Sequence, residues 1–227
     1  MRIAVDALLV GRSAPLAGTS HLSGIHKSLV ATPLWLSEQG FDGYEQADRR
    51  VHGGPEKAVH HYPRDHYATW IEQLGTQPLL LAPGAFGENL STRGLTEESV
   101  CVGDVFELGQ AVVQVSQGRQ PCWKLNARLG HKGAARLMQD MGRTGWYYRV
   151  LKPGFVTGSD ELVLVDRRET DWPLSRVMGL LFRRDPSLAG EWAAAAELAP
   201  LAESWKRTFR RRLDTGAVED WSKRLEG

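Results

Sequence analysis

The sequence predicts a mainly β protein: a β-barrel with flanking helices, followed by a small C-terminal subdomain of three helices. Up to residue 168, short runs of β-branched and apolar residues alternate with loops rich in glycine and proline, which is typical of a closed sheet. From Asp171 onward, apolar residues recur at helical spacing instead. We therefore predict a barrel domain over residues 1–168 and a helical subdomain with a tail over residues 169–227.

Within the first domain, apolar periodicity and turn residues define the expected elements. The predicted strands cover residues 3–10, 24–30, 111–115, 144–151 and 161–165, and residues 95–108 are predicted to form a turn and two short strands. Residues 34–36 form a further short apolar run. Helical patterns cover residues 56–62, 64–71 and 132–141 in this domain, and residues 174–182, 188–199 and 203–213 in the subdomain. Few of the first domain's residues fall in helical patterns, which favours the barrel.

The composition is ordinary for a soluble globular protein. The 227 residues are 42% hydrophobic and 24% charged, with a net charge of +1, so no polyelectrolyte partner is indicated. The two cysteines are too few for a disulfide framework, which favours a reducing compartment. The sequence shows neither a signal peptide pattern nor an apolar run of transmembrane length. We expect a cytoplasmic protein with no membrane partner.

Cys122 is the strongest candidate for chemistry. It follows a strand pattern that breaks at Gly118 and Pro121, which places it on a loop at a strand end. Arg119 and Lys124 flank it, and nearby positive charge favours the thiolate, which is both a nucleophile and a soft metal ligand. The alternative for any single cysteine is a small buried hydrophobic residue. Cys101 lies in an apolar alternation and is predicted to serve packing.

Two glycine-rich loops are candidate ligand sites. In residues 40–55, Gly53 and Gly54 allow positive φ and close approach of a ligand to the backbone, and Pro55 suits the first turn of a helix. In residues 83–90, Glu88 and Asn89 offer an acceptor and an amide that suit the edge of a heterocycle. The alternatives are a simple turn for the first loop and, for Asn89, a side chain that fixes its own turn.

Other polar residues allow several interpretations. Lys27 and Ser28 place a cation beside a hydroxyl, which suits a phosphate or a solvent-facing strand. His52, His60, His61 and His66 suggest zinc, but the zinc-protease and paired-cysteine spacings are absent, so hydrogen-bonding histidines are favoured. A Cys–His hydrolase stays open, since its partners need not be close in sequence. The basic run over residues 206–212 is expected to be a solvated helix face, without a nucleic-acid partner.

Several motifs together resemble the MOSC-domain proteins of the YiiM family, a barrel related to the C-terminal domain of molybdenum cofactor sulfurases. The resemblance covers nearly the whole chain and rests on residues 23–27, 46–57, 86–90 and 115–125, in the family's order. The C-terminal helices resemble the family's three-helix extension. Two residues depart from the family pattern: Tyr44 stands where Asp is usual, and Gly118 where Pro is frequent.

The resemblance implies a molybdenum cofactor, a pterin whose dithiolene holds the metal and whose other end carries a phosphate. Cys122 is then the expected metal ligand and catalytic residue. The implied phosphate cations and donors are Lys27, Ser28, Arg49, Lys57, Arg119 and Lys124, with the backbone of Gly53 and Gly54. The implied pterin contacts are Asp42, His52, Glu88 and Asn89. In related proteins the reaction reduces N-hydroxylated compounds such as amidoximes, hydroxylamines and N-hydroxylated bases.

Three functions compete at this point. A reductase needs a substrate cavity and an external electron-donor reductase, since the sequence has no evident flavin or iron–sulfur motif. A cofactor carrier or sulfur-transfer module needs Cys122 and the phosphate cations alone. A nucleic-acid-binding module would use Arg207 and residues 210–212, and its binding would weaken steeply with salt. The sequence favours the reductase and leaves the oligomeric state open.

Overall fold

A computed structural model describes residues 1–16, 18–43, 53–183 and 185–227. Within these ranges the strands are β1 (Arg2–Val10), β2 (Ala14–Pro15), β3 (Leu22–Ser23), β4 (Ser28–Leu29), β5 (Leu34–Ser37), β6 (Gly40–Phe41), β7 (Val59–His61), β8 (Leu90–Thr92), β9 (Val105–Leu108), β10 (Ala111–Gly118), β11 (Trp146–Lys152), β12 (Gly154–Val156) and β13 (Glu161–Asp166). The α-helices are α1 (Tyr67–Leu74), α2 (Lys124–Leu129), α3 (Ala134–Met141), α4 (Leu174–Phe182), α5 (Ala189–Ala196), α6 (Glu203–Thr215) and α7 (Ser222–Glu226). Short 3-10 turns lie at Pro55–Lys57, Arg64–His66, Pro78–Leu80 and Pro186–Leu188.

Seven strands close into the predicted barrel. Their order is β13-β9-β10-β11-β7-β8-β1, and β1 pairs with β13 to complete the ring. Neighbouring strands of the ring are antiparallel except β7 and β8, where His61 pairs with Leu90 in parallel. The barrel is therefore mixed, and β4 extends it outside β1. A closed ring leaves none of these seven strands with an open edge.

Strand β10 shows how the sequence positions the functional loop. Ala111, Val113 and Val115 are buried at every second position, as expected for a strand with one face in the core. Beyond Val115 the alternation stops, and Ser116 and Gly118 are buried as well. The reason is that the C-terminal subdomain covers this end: a β-carbon built at Gly118 would lie 2.6 Å from Met178 Cγ on α4. The end of β10 is thus fixed between the two parts of the chain.

The C-terminal subdomain has the predicted three main helices, α4 to α6. One residue of the basic run, Arg212, is buried, although the run was expected to be a solvated helix face. Arg212 is 1% exposed. Its guanidinium donates to the carbonyls of Leu180 at 3.1 Å and Leu181 at 2.8 Å and pairs with Glu219. Arg211 also pairs with Glu219 at the surface. The run therefore holds helices together in addition to meeting solvent.

The observed elements differ from the predicted ones in one helical segment and in several short additional elements. Residues 56–62 were expected to be helical, but Pro55–Lys57 forms a single 3-10 turn and β7 follows. Pairing of β7 with β11 and β8 overrides the local helical pattern. Helices α2 and α7 and the short strands β2, β3, β6, β8 and β12 were not predicted. The domain boundary at residue 168 stays a prediction, and in the described part of the chain no helix could span a membrane.

Candidate cofactor and active site

The loop that carries Cys122 starts where β10 leaves the barrel. The amide of Arg119 still donates to the carbonyl of Gly145 at 2.9 Å, one residue beyond the strand. The chain then turns away and enters α2, and the amide of Leu125 donates to the carbonyl of Cys122 at 2.9 Å. Cys122 is a half-buried free thiol. The structure therefore confirms the predicted position just past a strand end.

Cys122 opens into a cleft of about 750 Å³, a volume suited to a small ligand. One wall comes from the barrel and its loop, and another from the C-terminal tail. The lining residues are Lys57, Gln117, Gln120, Cys122, Trp123, Lys124, Tyr147, Asp220, Lys223 and Arg224. Four of them are Lys or Arg and one is Asp, so the cleft favours an anionic ligand.

Three buried nitrogen-bearing side chains, Lys27, His60 and Arg119, form what we call the cation cluster. They are 8%, 4% and 7% exposed, respectively. Burial holds the pKa of Lys27 well below its ordinary value; the Glu88 carboxylate opposes this effect and the Arg119 charge adds to it. Burial also lowers the pKa of His60 well below its ordinary value, and the charges of Arg119 and Lys27 add to that shift. The three groups thus share one electrostatic environment that favours a negative charge.

His60 points to a ligand because one of its ring nitrogens is unused. Nδ1 lies 3.1 Å from the carbonyl of Gly87. Nε2 is buried, and none of the residues placed by the structure forms a hydrogen bond with it. Buried polar atoms are nearly always paired, so such an atom suggests a site for a ligand or an ordered water.

Tyr147 connects the cation cluster to the Cys122 cleft. On β11 it lies opposite His60 of β7 on one side and opposite Gln117 of β10 on the other. The rings of His60 and Tyr147 are 5.1 Å apart between centroids. Burial raises the pKa of Tyr147; the Arg119 charge opposes the shift and the Cys122 charge adds to it. A row of side chains across three strands therefore runs from the cluster to the cleft.

The structure brings several predicted residues to this region. Lys57 and Lys124 line the cleft, and burial lowers the pKa of Lys57. The ammonium group of Lys124 donates to the carbonyl of Leu22 at 3.1 Å. Gly54 has the predicted positive φ, at 93°, and its carbonyl accepts from the amide of Lys57 at 2.9 Å. Gly53 is half-buried beside it.

Glu88 and Asn89 have supporting roles that differ from the predicted pterin contacts. The Glu88 carboxylate accepts from the amides of Gly84 at 2.6 Å and Phe86 at 3.0 Å and from the hydroxyl of Tyr67. Asn89 accepts from the amide of His60 at 3.2 Å and donates to the carbonyl of Leu9 at 3.1 Å. Both side chains are fully buried, so their polar groups stabilise the loop and β7. The structure does not favour a direct contact with a pterin.

Four other predicted residues are not placed at the cleft. Ser28 is exposed on β4, opposite Val10 of β1, and Asp42 is exposed after β6. Neither is among the described residues that line the cleft. Arg49 and His52, like Tyr44, lie outside the described residues, so their predicted roles stay predictions.

The zinc interpretation of the histidines finds no support where the chain is described. In those ranges no group of three or more His, Cys, Asp or Glu side chains could hold a metal. His61 bonds to the hydroxyls of Tyr148 and Thr92, and His66 bonds to Glu97 at 2.6 Å. These two histidines are structural, as predicted. Cys101 is buried, which agrees with its predicted packing role.

Several residues that line the cleft are not among those predicted from the sequence, and three of them are Gln117, Gln120 and Tyr147. Gln117 and Gln120 could have been found, since they are polar residues within five positions of Cys122. Tyr147 could have been found only from the pairing of β10 with β11. Asp220, Lys223 and Arg224 carry no local signal, because they reach the cleft through tertiary packing alone.

Comparisons with known proteins agree with this architecture. A model of the MOSC domain matches residues 48–163, and a model of the YiiM-like, 3-alpha helix domain matches residues 172–216. Protein YiiM of Escherichia coli strain K12 is 42% identical over 205 residues, covering 90% of this chain and 91% of that protein. The crystal structure of YiiM from Escherichia coli has a TM-score of 0.84 at 37% identity and covers 100% of both chains.

One further relative differs in length. A protein of Gibberella moniliformis named reductase is 39% identical over 167 residues, which cover 73% of this chain and 30% of that protein. The two domain matches follow each other along the chain in the order of the barrel and the helical subdomain. The chain belongs to the MOSC domain family, in the YiiM-like form in which a three-helix domain follows the MOSC barrel.

Proposed function

We propose that this protein is a molybdenum-cofactor-dependent reductase of N-hydroxylated compounds and that Cys122 is the protein ligand of the metal. The observation that carries the proposal is the half-buried thiol of Cys122 in a cleft beside the cation cluster. A soft donor next to a positive pocket suits a cofactor with molybdenum at one end and a phosphate at the other.

The donor groups fit that cofactor. Cys122 would supply a soft thiolate ligand, and the cofactor's dithiolene would supply sulfur ligands of its own. Lys27 and Arg119 would bind the anionic end, and His60 Nε2 offers a further donor or acceptor that the protein leaves unused. Lys57 and Lys124 would bind at the cleft wall.

The reaction is a two-electron reduction. When bound, the cofactor supplies the two electrons, and R–NH–OH with two electrons and two protons gives R–NH₂ and water. Gln117, Gln120 and Tyr147 line the cleft and would bind and orient the polar end of the substrate. Because burial raises the pKa of Tyr147, its hydroxyl keeps its proton at neutral pH and can donate a hydrogen bond to the N-hydroxyl oxygen.

The electrons would come from a separate reductase. An iron–sulfur cluster is usually held by four thiolates, and this chain has two cysteines. The relative named reductase supports redox chemistry for this family, and most of its length lies outside the match. We infer that the corresponding electron supply for this chain is a partner protein.

The test is reduction of an amidoxime or an N-hydroxylated base by protein loaded with the cofactor and supplied with a chemical or enzymatic reductant. We expect saturable turnover and about one molybdenum per chain, since one soft thiolate serves one metal. Cys122→Ser should lose turnover and metal, whereas Cys101→Ser should keep both because Cys101 is buried away from the cleft.

Two outcomes would contradict the proposal. Full activity in Cys122→Ser would exclude the assigned ligand. Molybdenum-replete, reducible protein that fails on a broad panel of N-hydroxylated compounds, yet transfers its cofactor to an apo-enzyme, would identify a carrier instead.

A further inference from the structure

The two residues on either side of Cys122 are both held by one residue of the C-terminal tail, Arg224. Its guanidinium Nη1 donates to the carbonyl of Pro121. Its own main-chain carbonyl accepts from the amide of Trp123 at 2.8 Å. The sequence separation between Pro121 and Arg224 is 103 residues, so this contact is made only by the folded chain. The thiol loop is thereby fixed immediately before and immediately after the sulfur-bearing residue.

Arg224 is itself well supported. Its Nη2 donates to Gln139 Oε1 on α3 at 2.7 Å, and its guanidinium carbon lies 4.9 Å from the centroid of the Trp221 ring. Trp221, just before α7, is 6% exposed, and Leu225, within α7, is 1% exposed. The side chain therefore sits in one defined position, and the tail that carries it is anchored in the core.

The tail and the loop are also joined next to this contact. The side-chain Nδ2 of Asn126 donates to the main-chain carbonyl of Leu225 at 2.8 Å. The side-chain Oδ1 of Asn126 accepts from the main-chain amide of Ala135 at 2.7 Å. At the surface, Arg136 pairs with Glu226 at 2.7 Å. Unlike Arg224, Arg136 contacts neither residue that flanks Cys122, which makes it a matched control.

We propose that Arg224 is a positioning residue that holds the Cys122 thiol in the wall of the cleft. The planar guanidinium bonds to the loop and to α3 at the same time, which a lysine ammonium cannot reproduce with the same geometry. The inference rests on the proposed function only in giving Cys122 a ligand to bind. The tail thus completes the site, and Asp220 and Lys223 line the same cleft.

The first test uses apo protein in a Cys101→Ser background and measures the alkylation rate of Cys122 by iodoacetamide at one fixed pH. Arg224→Lys keeps the positive charge and loses the planar contacts, so we expect alkylation about threefold to tenfold faster, the range for loss of one hydrogen bond. Gln139→Ala, which removes the support of Arg224, should give a smaller increase. Arg136→Ala should match the background protein.

The second test uses protein loaded with cofactor and records its thiolate-to-metal absorption. We expect the band to shift in Arg224→Lys and to be unchanged in Arg136→Ala, because Arg224 contacts the residues that flank the thiol, whereas Arg136 forms an ion pair with Glu226. If no variant binds molybdenum, the proposed function fails, while the alkylation rates still decide whether Arg224 positions Cys122.

Alkylation rates within about twofold of the background protein in both Arg224→Lys and Gln139→Ala would overturn the proposal, since that is below the effect of one lost hydrogen bond. If Arg224→Lys does not fold, Gln139→Ala alone decides between the two results. An equal increase in Arg136→Ala would also overturn it, because general loosening of the tail would then explain the effect.

Discussion

His60 and His61 are neighbours on β7 and both are buried, but their ring nitrogens differ in their hydrogen-bond partners. Both ring nitrogens of His61 are used: Nδ1 lies 3.0 Å from the Tyr148 hydroxyl and Nε2 lies 2.9 Å from Thr92 Oγ1. His60 uses Nδ1 and has a buried Nε2 without a hydrogen bond from the residues placed by the structure. Successive strand residues face opposite sides, so the two rings enter different environments.

The same contrast separates two larger groups. What we call the interior network comprises two hydrogen-bonded groups, His61 with Thr92 and Tyr148, and Glu97 with His66 and the amide of Gly145. The cation cluster instead places Lys27 and Arg119 near His60, whose pKa is lowered by burial and by the charges of Arg119 and Lys27. The first arrangement stabilises the fold. The second leaves His60 Nε2 unused by the described residues and suits an anionic ligand, so the difference separates structural from candidate functional polar residues.

The largest expected effect is on the interior network. Glu97 accepts from His66 at 2.6 Å and from the amide of Gly145 at 2.7 Å, and it is fully buried. Glu97→Ala leaves two buried groups without partners, so we expect the free energy of unfolding in urea to fall by about 3–5 kcal/mol. The neighbouring exposed carboxylate provides the control: Glu98→Ala should change stability by about 0.5 kcal/mol or less. Equal losses of stability in the two variants would contradict the structural role of Glu97.

The next effect depends on pH. Burial lowers the pKa of His61 to about 3 in the folded protein, whereas the unfolded value is near 6.5. Between these values the unfolded chain binds more protons, so this contribution to stability is complete above about pH 6.5 and is lost as the pH falls toward 3. The loss should reach about 3 kcal/mol at pH 4. We expect the free energy of unfolding in urea to depend less steeply on pH in His61→Gln, by the slope that uptake of about one proton on unfolding produces. An unchanged slope would contradict the low pKa of His61.

The smallest effect has the opposite sign and tests the cation cluster. Because the surroundings of Lys27 hold its pKa well below the ordinary value, Lys27→Met should raise the free energy of unfolding by about 1–2 kcal/mol. The same change should weaken or abolish the thermal stabilisation that phosphate gives the apo protein, because a donor to the anion is lost. Lys132 is exposed, so Lys132→Met should leave both properties unchanged. A destabilised Lys27→Met that still responds to phosphate would assign Lys27 a structural role.

Local patterns predicted the parts of the fold in which neighbouring residues determine the structure. Strands β1, β10 and β13 and helices α4 and α6 lie where apolar periodicity placed them. Strand β7 was missed because its three residues follow Pro55 and a helical pattern, and it forms only by pairing with β11 and β8. For such short segments, pairing in the folded sheet outweighs local preference.

The site shows the same limit. Cys122 could be located because glycine and proline interrupt a strand pattern beside it. The roles of Glu88 and Asn89 could not, since polar side chains in a glycine-rich loop can serve either a ligand or the loop itself, and here they hold β7 and neighbouring amides. Arg224 could not be predicted because its partner Pro121 lies more than a hundred residues earlier.

The pairing of β1 with β13 has a consequence for how this protein folds as it is synthesised. Arg2 lies opposite Val163, so the ring cannot close until β13 has been made. Contacts between residues so distant in sequence slow folding. Until β13 is made, β1 has an unpaired edge that can pair with other chains. We expect folding intermediates with an open ring to need protection from aggregation on the ribosome, and the helical subdomain to pack only after the ring has closed.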